Sequence, residues 1–249
     1  MVNPADTMKL MQKALNAPPL RIRYAPGRSR RLVISFSGVG NERHEEPPIE
    51  FHRMARSREE NHVLFVTDES RSWLNAPGMA EAIVKVIEDT ATQIGAEERI
   101  ALGNSMGGTM ALLLSRMTRL DRVIAFVPQW SADPRIVPEE KRWSYFRKRI
   151  EAFRFSEVGT LPSENTRFTI LHGSTEDELI HERRFPYQKE VSHYIVPGAG
   201  HKLAAQLNAD RRLAPIISEA ILGRPWKTRR AVEAAGGIPR EAFYRRIGS

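Results

Sequence analysis

The chain has 249 residues, with 38 Lys and Arg against 30 Asp and Glu and no cysteine. That length supports one large domain, while the missing cysteine excludes a disulfide framework, a zinc–thiolate site, a cysteine nucleophile and an iron–sulfur cluster. Hydrophobic residues make up 41% and charged residues 27%, a globular composition whose apolar runs fall well short of the roughly 20 residues that span a bilayer.

Residues 1–20 read as an N-terminal helix or extension, with no apolar core of a secretory signal over 1–15. The expectation is therefore a soluble, cytoplasmic protein. Residues 21–24 fit an additional antiparallel edge strand. Strands follow at 31–37 (RLVISFS) and 62–67 (HVLFVT), and the helix at 79–94 places Ile83, Ile87, Ala91 and Ile94 on one stripe. A strand at 99–103 runs into an apolar helix at 106–117, then come strands at 122–127, 167–171 and 191–196 and a helix at 202–222. Most of the strands are near-continuous Val, Ile, Leu and Phe, the pattern of strands covered on both faces, while 191–196 is shorter and partly alternating. Their alternation with helices implies an α/β fold with a mostly parallel central sheet and helices on both faces. The domain is thus placed at 21–223. Residues 131–166 form a long, lid-like insertion carrying Trp143, Tyr145, Phe146, Phe153 and Phe155. Residues 224–249 form a basic extension with seven basic residues against two acidic ones, most of the net charge of +8.

In an open α/β sheet the ligand site lies at the carboxyl ends of the strands. After 99–103 comes Gly103-Asn104-Ser105-Met106-Gly107-Gly108, a G-x-S-x-G turn between strand and helix. There a serine is held above the sheet edge, and side chains at the glycines would collide with neighbouring elements. The competing reading, a glycine-rich turn with a serine N-cap, assigns it no chemistry. No Lys follows the glycines as a phosphate loop requires. Of the seven histidines, His201 follows the strand at 191–196 on Gly198-Ala199-Gly200 and reaches the same edge. His193 lies within a strand, His62 belongs at the opposite edge, and His172 reads as a packing residue. Two acids follow the strand at 167–171, Glu176 and Asp177. Arg71 and Trp73, after the strand at 62–67, are placed at the border of a pocket.

These segments, Gly-Asn-Ser105-Met-Gly-Gly, Leu-His-Gly-Ser-Thr-Glu-Asp177 and Gly-Ala-Gly-His201, resemble those of the α/β-hydrolases over roughly residues 20–222. The resemblance implies that fold and a triad of Ser105 as nucleophile, Asp177 as acid and His201 as base. Glu176 is the alternative acid and Asp133 a more distant one. It also implies an oxyanion hole from the backbone N–H groups of Met106 and Val39, with Ser37-Gly38 where the family commonly has His-Gly. Gly38, Arg71 and Trp73 are then the substrate-binding candidates, with no cofactor and no metal. The function expected is a serine hydrolase cleaving a small-molecule acyl ester, carboxylesterase-like. The alternatives are an acyltransferase with the same triad or a non-catalytic binding protein of the same fold. The tail is expected either to bind an acidic partner or polyanion or to pack on the domain, and to be dispensable for the chemistry. A homo-oligomer is left open.

Overall fold

A computed structural model describes residues 12–248. A nine-stranded sheet is formed by β1 (Gln12–Ala17), β2 (Leu20–Ala25), β3 (Arg31–Phe36), β4 (His62–Asp68), β5 (Glu98–Asn104), β6 (Arg122–Phe126), β7 (Arg167–Gly173), β8 (Val191–Val196) and β9 (Ile238–Pro239). Their order is β1-β2-β4-β3-β5-β6-β7-β8-β9. β3 to β8 pair parallel, whereas β1, β2 and β9 join antiparallel at the two flanks. The register sets Phe36 opposite Gly103, Asn104 opposite Phe126, and Gly173 opposite Val196. The loops after β3, β5, β7 and β8 therefore open along one edge.

The pleat sends alternate residues of each strand to opposite faces. Leu32, Ile34 and Phe36 join a core layer with Ile83, Ile87 and Ala91 of α2 (Met79–Ile94) and with Met110 of α3 (Met106–Leu114). Val33, Ile100 and Leu102 face the other layer, against Leu203 and Leu207 of α6 (Leu203–Ala209) and Ile216 and Ile217 of α7 (Leu213–Ile221). Each fully buried Ile or Leu contributes about 1.5–3 kcal/mol. The remaining helices are α1 (His52–Arg56), α4 (Ser144–Arg147), α5 (Glu176–Glu182), α8 (Pro225–Ala234) and α9 (Arg240–Ile247).

Four local expectations change. Residues 12–17 are a strand rather than a helix, and the rest of that expectation, up to residue 11, lies outside the described residues. β2 is not an edge strand, because β1 pairs along its other side. The helix at 106–117 stops at Leu114, where the Ser115 hydroxyl bonds the Leu112 carbonyl at 2.6 Å and competes with the ladder. The helix at 202–222 is two helices, broken at Arg211, which has φ 57°. Leu207 and Leu213, six residues apart, could not share a helical face.

The basic extension packs on the domain. Val232 and Phe243 are buried, and β9 pairs with β8. Arg240 and Tyr244 both bind the buried Glu182 of α5. Trp226 stays 67% exposed. Among the described residues no helix is long and apolar enough to cross a membrane.

Candidate active site

Ser105 is the single residue between β5 and α3, with φ 55° and ψ −124°. That positive φ is strained for a residue with a side chain, and the surroundings enforce it. The Ser105 N–H donates to the Phe126 carbonyl at 2.8 Å. A Cβ on Gly103 would sit 2.2 Å from the Gly107 backbone, and one on Gly107 would sit 2.4 Å from the Phe36 carbonyl oxygen. Only glycine lets the helix start this close to β3 and β5.

Ser105 Oγ lies 2.9 Å from His201 Nε2. His201 follows β8 on a loop tied to the one after β7: the Ser174 and Thr175 N–H groups both donate to the Ala199 carbonyl, at 2.8 and 3.2 Å. The indole of Trp143, from the insertion, packs against the His201 ring at 4.8 Å between centroids. Ser105 is only 4% exposed.

The carboxylate on His201 is not Asp177. His201 Nδ1 is 2.8 Å from Glu178 Oε1. Asp177 points outward, bonded to the Thr175 hydroxyl at 2.5 Å and to Arg142 at 2.9 Å, and Glu176 pairs with Arg183 on the surface. Asp133 is buried against Arg135 within the insertion. The reason is helical geometry. α5 begins at Glu176, so three successive acids fan out at about 100° each, and only the third turns inward.

Charge fixes that third acid. Burial pushes the Glu178 carboxyl up, but the bond and charge of His201, with Arg142 at 2.8 Å, outweigh it and hold Glu178 below the usual carboxylate range. Arg142 forks onto Glu140, at 2.6 Å from Oε2. Burial opposes ionisation of Glu140 too, yet His181 and Arg142 bring it down to about 2. His181 is pushed down by burial, its Nδ1 accepts the Trp130 N–H at 3.2 Å, and its Nε2–H donates to Glu140 at 2.9 Å. The insertion is thus locked to α5. Its buried Arg147 donates to the carbonyls of Ala132, Val137 and Glu140.

The N–H of Met106 opens the first turn of α3, where helix donors lack intrahelical partners. The second expected donor, Val39, is buried in the loop after β3. Arg71 shapes that loop. It is 4% exposed and donates to the carbonyls of Val39 (3.3 Å), Glu42 (3.2 Å) and Glu45, with its own turn anchored at Glu69. Gly38 lies beneath the loop, where an added Cβ would meet the Asn104 carbonyl oxygen and Glu50 Oε1 at 3.2 Å each. The Glu50 carboxyl sits against Gly38 and Asn104, and its Oε2 has no hydrogen-bond partner among the described residues. Although the residue as a whole is half-buried, its Oε2 is fully covered, and burial pushes the group up to about 7. Trp73 is 1% exposed, and its indole N–H donates to Gln129 Oε1 at 2.9 Å. Arg71 and Trp73 therefore act on neighbouring residues instead of lining an open pocket. A separate cavity of about 570 Å³, lined by Arg122, Arg167 and Arg224, opens at the amino ends of β6–β8, on the edge away from Ser105.

Among the residues of this cluster that escape the sequence reading are Glu178, Arg142 and Gln129. Glu178 shares a helical face with the buried Glu182, four residues on, a signal that becomes visible once 176–182 is read as a helix. Gln129 lies three residues beyond β6, at the edge where strand ends were being searched. Arg142 sits in an irregular insertion with no periodic pattern, and nothing local marks it.

No family model matches the sequence, and no curated protein is similar to it. Solved structures do share its architecture. The capsule O-acetyltransferase of Neisseria meningitidis serogroup A is 18% identical, with a TM-score of 0.58 over 82% of this chain and 92% of that one. An α/β serine hydrolase without a lid from Xanthomonas campestris is 13% identical, with a TM-score of 0.54 over 87% and 94%. A fluorophosphonate-binding serine hydrolase of Staphylococcus aureus is 13% identical, with a TM-score of 0.52 over 84% and 97%. The chain has the α/β-hydrolase fold.

Proposed function

We propose that the protein is a serine hydrolase acting on an ester or related acyl bond through an acyl-enzyme. The observation that carries this reading is the continuous chain Ser105–His201–Glu178, with contacts of 2.9 and 2.8 Å, at the carboxyl edge of the sheet. Ser105 Oγ attacks the acyl carbon while its proton passes to His201 Nε2, and His201 then protonates the leaving group. Glu178 holds the Nδ1–H tautomer and balances the imidazolium. The N–H groups of Met106 and Val39 receive the oxyanion, and Arg71 acts through Val39 by fixing its loop. A water activated by His201 releases the acyl group and restores Ser105.

Transfer of the acyl group to an alcohol is the second reading. It is favoured by the covered serine and by Trp143 packed on His201, which limit the approach of water. It is favoured also by the likeness of the fold to an O-acetyltransferase. The two readings share every step up to the acyl-enzyme.

Turnover of p-nitrophenyl acetate by wild type and Ser105→Ala tests the shared steps. The variant is expected to keep its fold and lose on the order of 10⁶ in kcat. Turnover at the wild-type rate would remove Ser105 from the chemistry.

A further inference from the structure

Ser105 Oγ has a second partner. Gln129 Nε2 lies 3.0 Å from it, and Gln129 is 2% exposed. The direction of this amide is fixed by a group that can only donate. The Trp73 indole N–H points at Gln129 Oε1 from 2.9 Å, so the amide oxygen faces Trp73 and the NH₂ faces Ser105. Accepting from Gln129, the Ser105 hydroxyl has its proton free for His201 Nε2, and the His201 Nδ1–H goes to Glu178. Every donor from Trp73 to Glu178 then points the same way.

The backbone that carries Gln129 is clamped at three successive residues. The Pro128 carbonyl faces His172 Nε2 at 2.9 Å, the Gln129 carbonyl accepts from the Thr109 hydroxyl at 2.9 Å, and the Trp130 N–H donates to His181. Burial brings His172 down to about 4, so it is a neutral clamp. A segment held this firmly places one side chain with little freedom.

We propose that Gln129 is a catalytic residue: its amide N–H keeps the Ser105 proton on the side of His201 and stabilises negative charge on Oγ. The proposal rests on the serine-nucleophile reading and adds a donor to it. In acylation the Oγ–carbon bond forms, the Oγ proton moves to His201 and the carbonyl π pair moves to the oxyanion; that pair then returns, the bond to the leaving group breaks, and His201 gives the leaving group the proton. In release a water or alcohol oxygen bonds to the acyl carbon and gives its proton to His201, and the Oγ–carbon bond breaks with its electron pair going to Oγ, which recovers the proton from His201. Gln129 is not consumed. It occupies one lone pair of Oγ and leaves the other for attack.

The test is the rate of fluorophosphonate labelling, in which Ser105 Oγ displaces fluoride and its proton leaves through His201. Wild type, Gln129→Leu, Gln129→Glu and Trp73→Phe are followed by intact mass between about pH 5 and 9, with Tm as the control for folding. Wild type is expected to label at Ser105. Gln129→Leu should slow about 10- to 100-fold, the loss expected for a hydrogen bond to a charged oxygen, while the buried Trp73 N–H that it leaves unpaired lowers Tm by several degrees. Trp73→Phe frees the amide to flip and should slow it less, about 3- to 10-fold. In Gln129→Glu the carboxylate would draw the Ser105 proton away from His201, so its rate should fall with rising pH where that of wild type rises. A mere packing role would not reverse that profile. Wild-type labelling rates in Gln129→Leu, or a Gln129→Glu profile parallel to wild type, would overturn the proposal. If Gln129→Leu does not fold, the Gln129→Glu profile decides. Absence of Ser105 labelling in wild type would instead overturn the serine-nucleophile reading, and this proposal with it.

Discussion

On its Nε2 side His201 meets a serine held by shape, and on its Nδ1 side a carboxylate held by charge. Ser105 sits in a one-residue turn with φ 55°, wedged by the contacts at Gly103 and Gly107 and by the clamped Gln129 segment, without an ionised group of its own. Glu178 shares Oε1 between His201 and Arg142, and Arg142 reaches on to Glu140 and Asp177. The shape-held arm depends on volumes and backbone contacts, and its response to pH comes through the Glu50 carboxyl beneath the Gly38 loop. The charge-held arm depends on every ion being present, because a buried charge left alone costs far more than a pair gains.

The largest effect that separates the arms is at the acid. Glu178→Gln should lower kcat on p-nitrophenyl acetate by on the order of 10⁴, since an amide no longer enforces the Nδ1–H tautomer. Asp177→Asn should stay within about twofold, because its side chain meets only Thr175 and Arg142. The reverse pattern would return the acid role to Asp177.

Next is Arg142→Met, which keeps the length of the side chain but strands Glu140 and Glu178 in the interior. Urea unfolding should show a loss of about 3–5 kcal/mol. A loss below about 1 kcal/mol would mean that the charges of this arm are solvated.

The smallest effect tests the shape-held arm, through Glu50 beneath the Gly38 loop. Its carboxyl is raised from 4.5 to about 7, so between those values the folded protein binds more protons than the unfolded chain. This contribution to stability is fully present below about pH 4.5 and is lost as the pH rises through about 7. Glu50→Gln removes the titration. The variant should match wild type near pH 4.5 and exceed it at pH 8 by on the order of 3 kcal/mol. Equal stability of the two at both pH values would show Glu50 to be ordinary.

The same contrast explains what the sequence discloses. Glycine spacing, strand ends and the stripe of α2 are local patterns, so the sheet, the turn at Ser105 and the loop at His201 can be read from neighbours in the chain. The identity of the acid depends on where helix α5 starts. A shift of one residue there rotates the choice by 100° among Glu176, Asp177 and Glu178. Arg142 and Gln129 gain meaning only through partners 36 and 24 residues away. The tail hides its role similarly: its sequence leaves a binding surface and packing on the domain both open, while Arg240 and Tyr244 brace Glu182 on the helix that carries Glu178. That contact ties α9 to the helix of the acid arm.

The most direct test of the account follows one fluorophosphonate adduct through three proteins by peptide mapping. Wild type and Asp177→Asn should both carry the adduct on Ser105 at similar rates, while Glu178→Gln should remain nearly unlabelled over the same time. An adduct on another residue, or rapid labelling of Glu178→Gln alongside a silent Asp177→Asn, would contradict it.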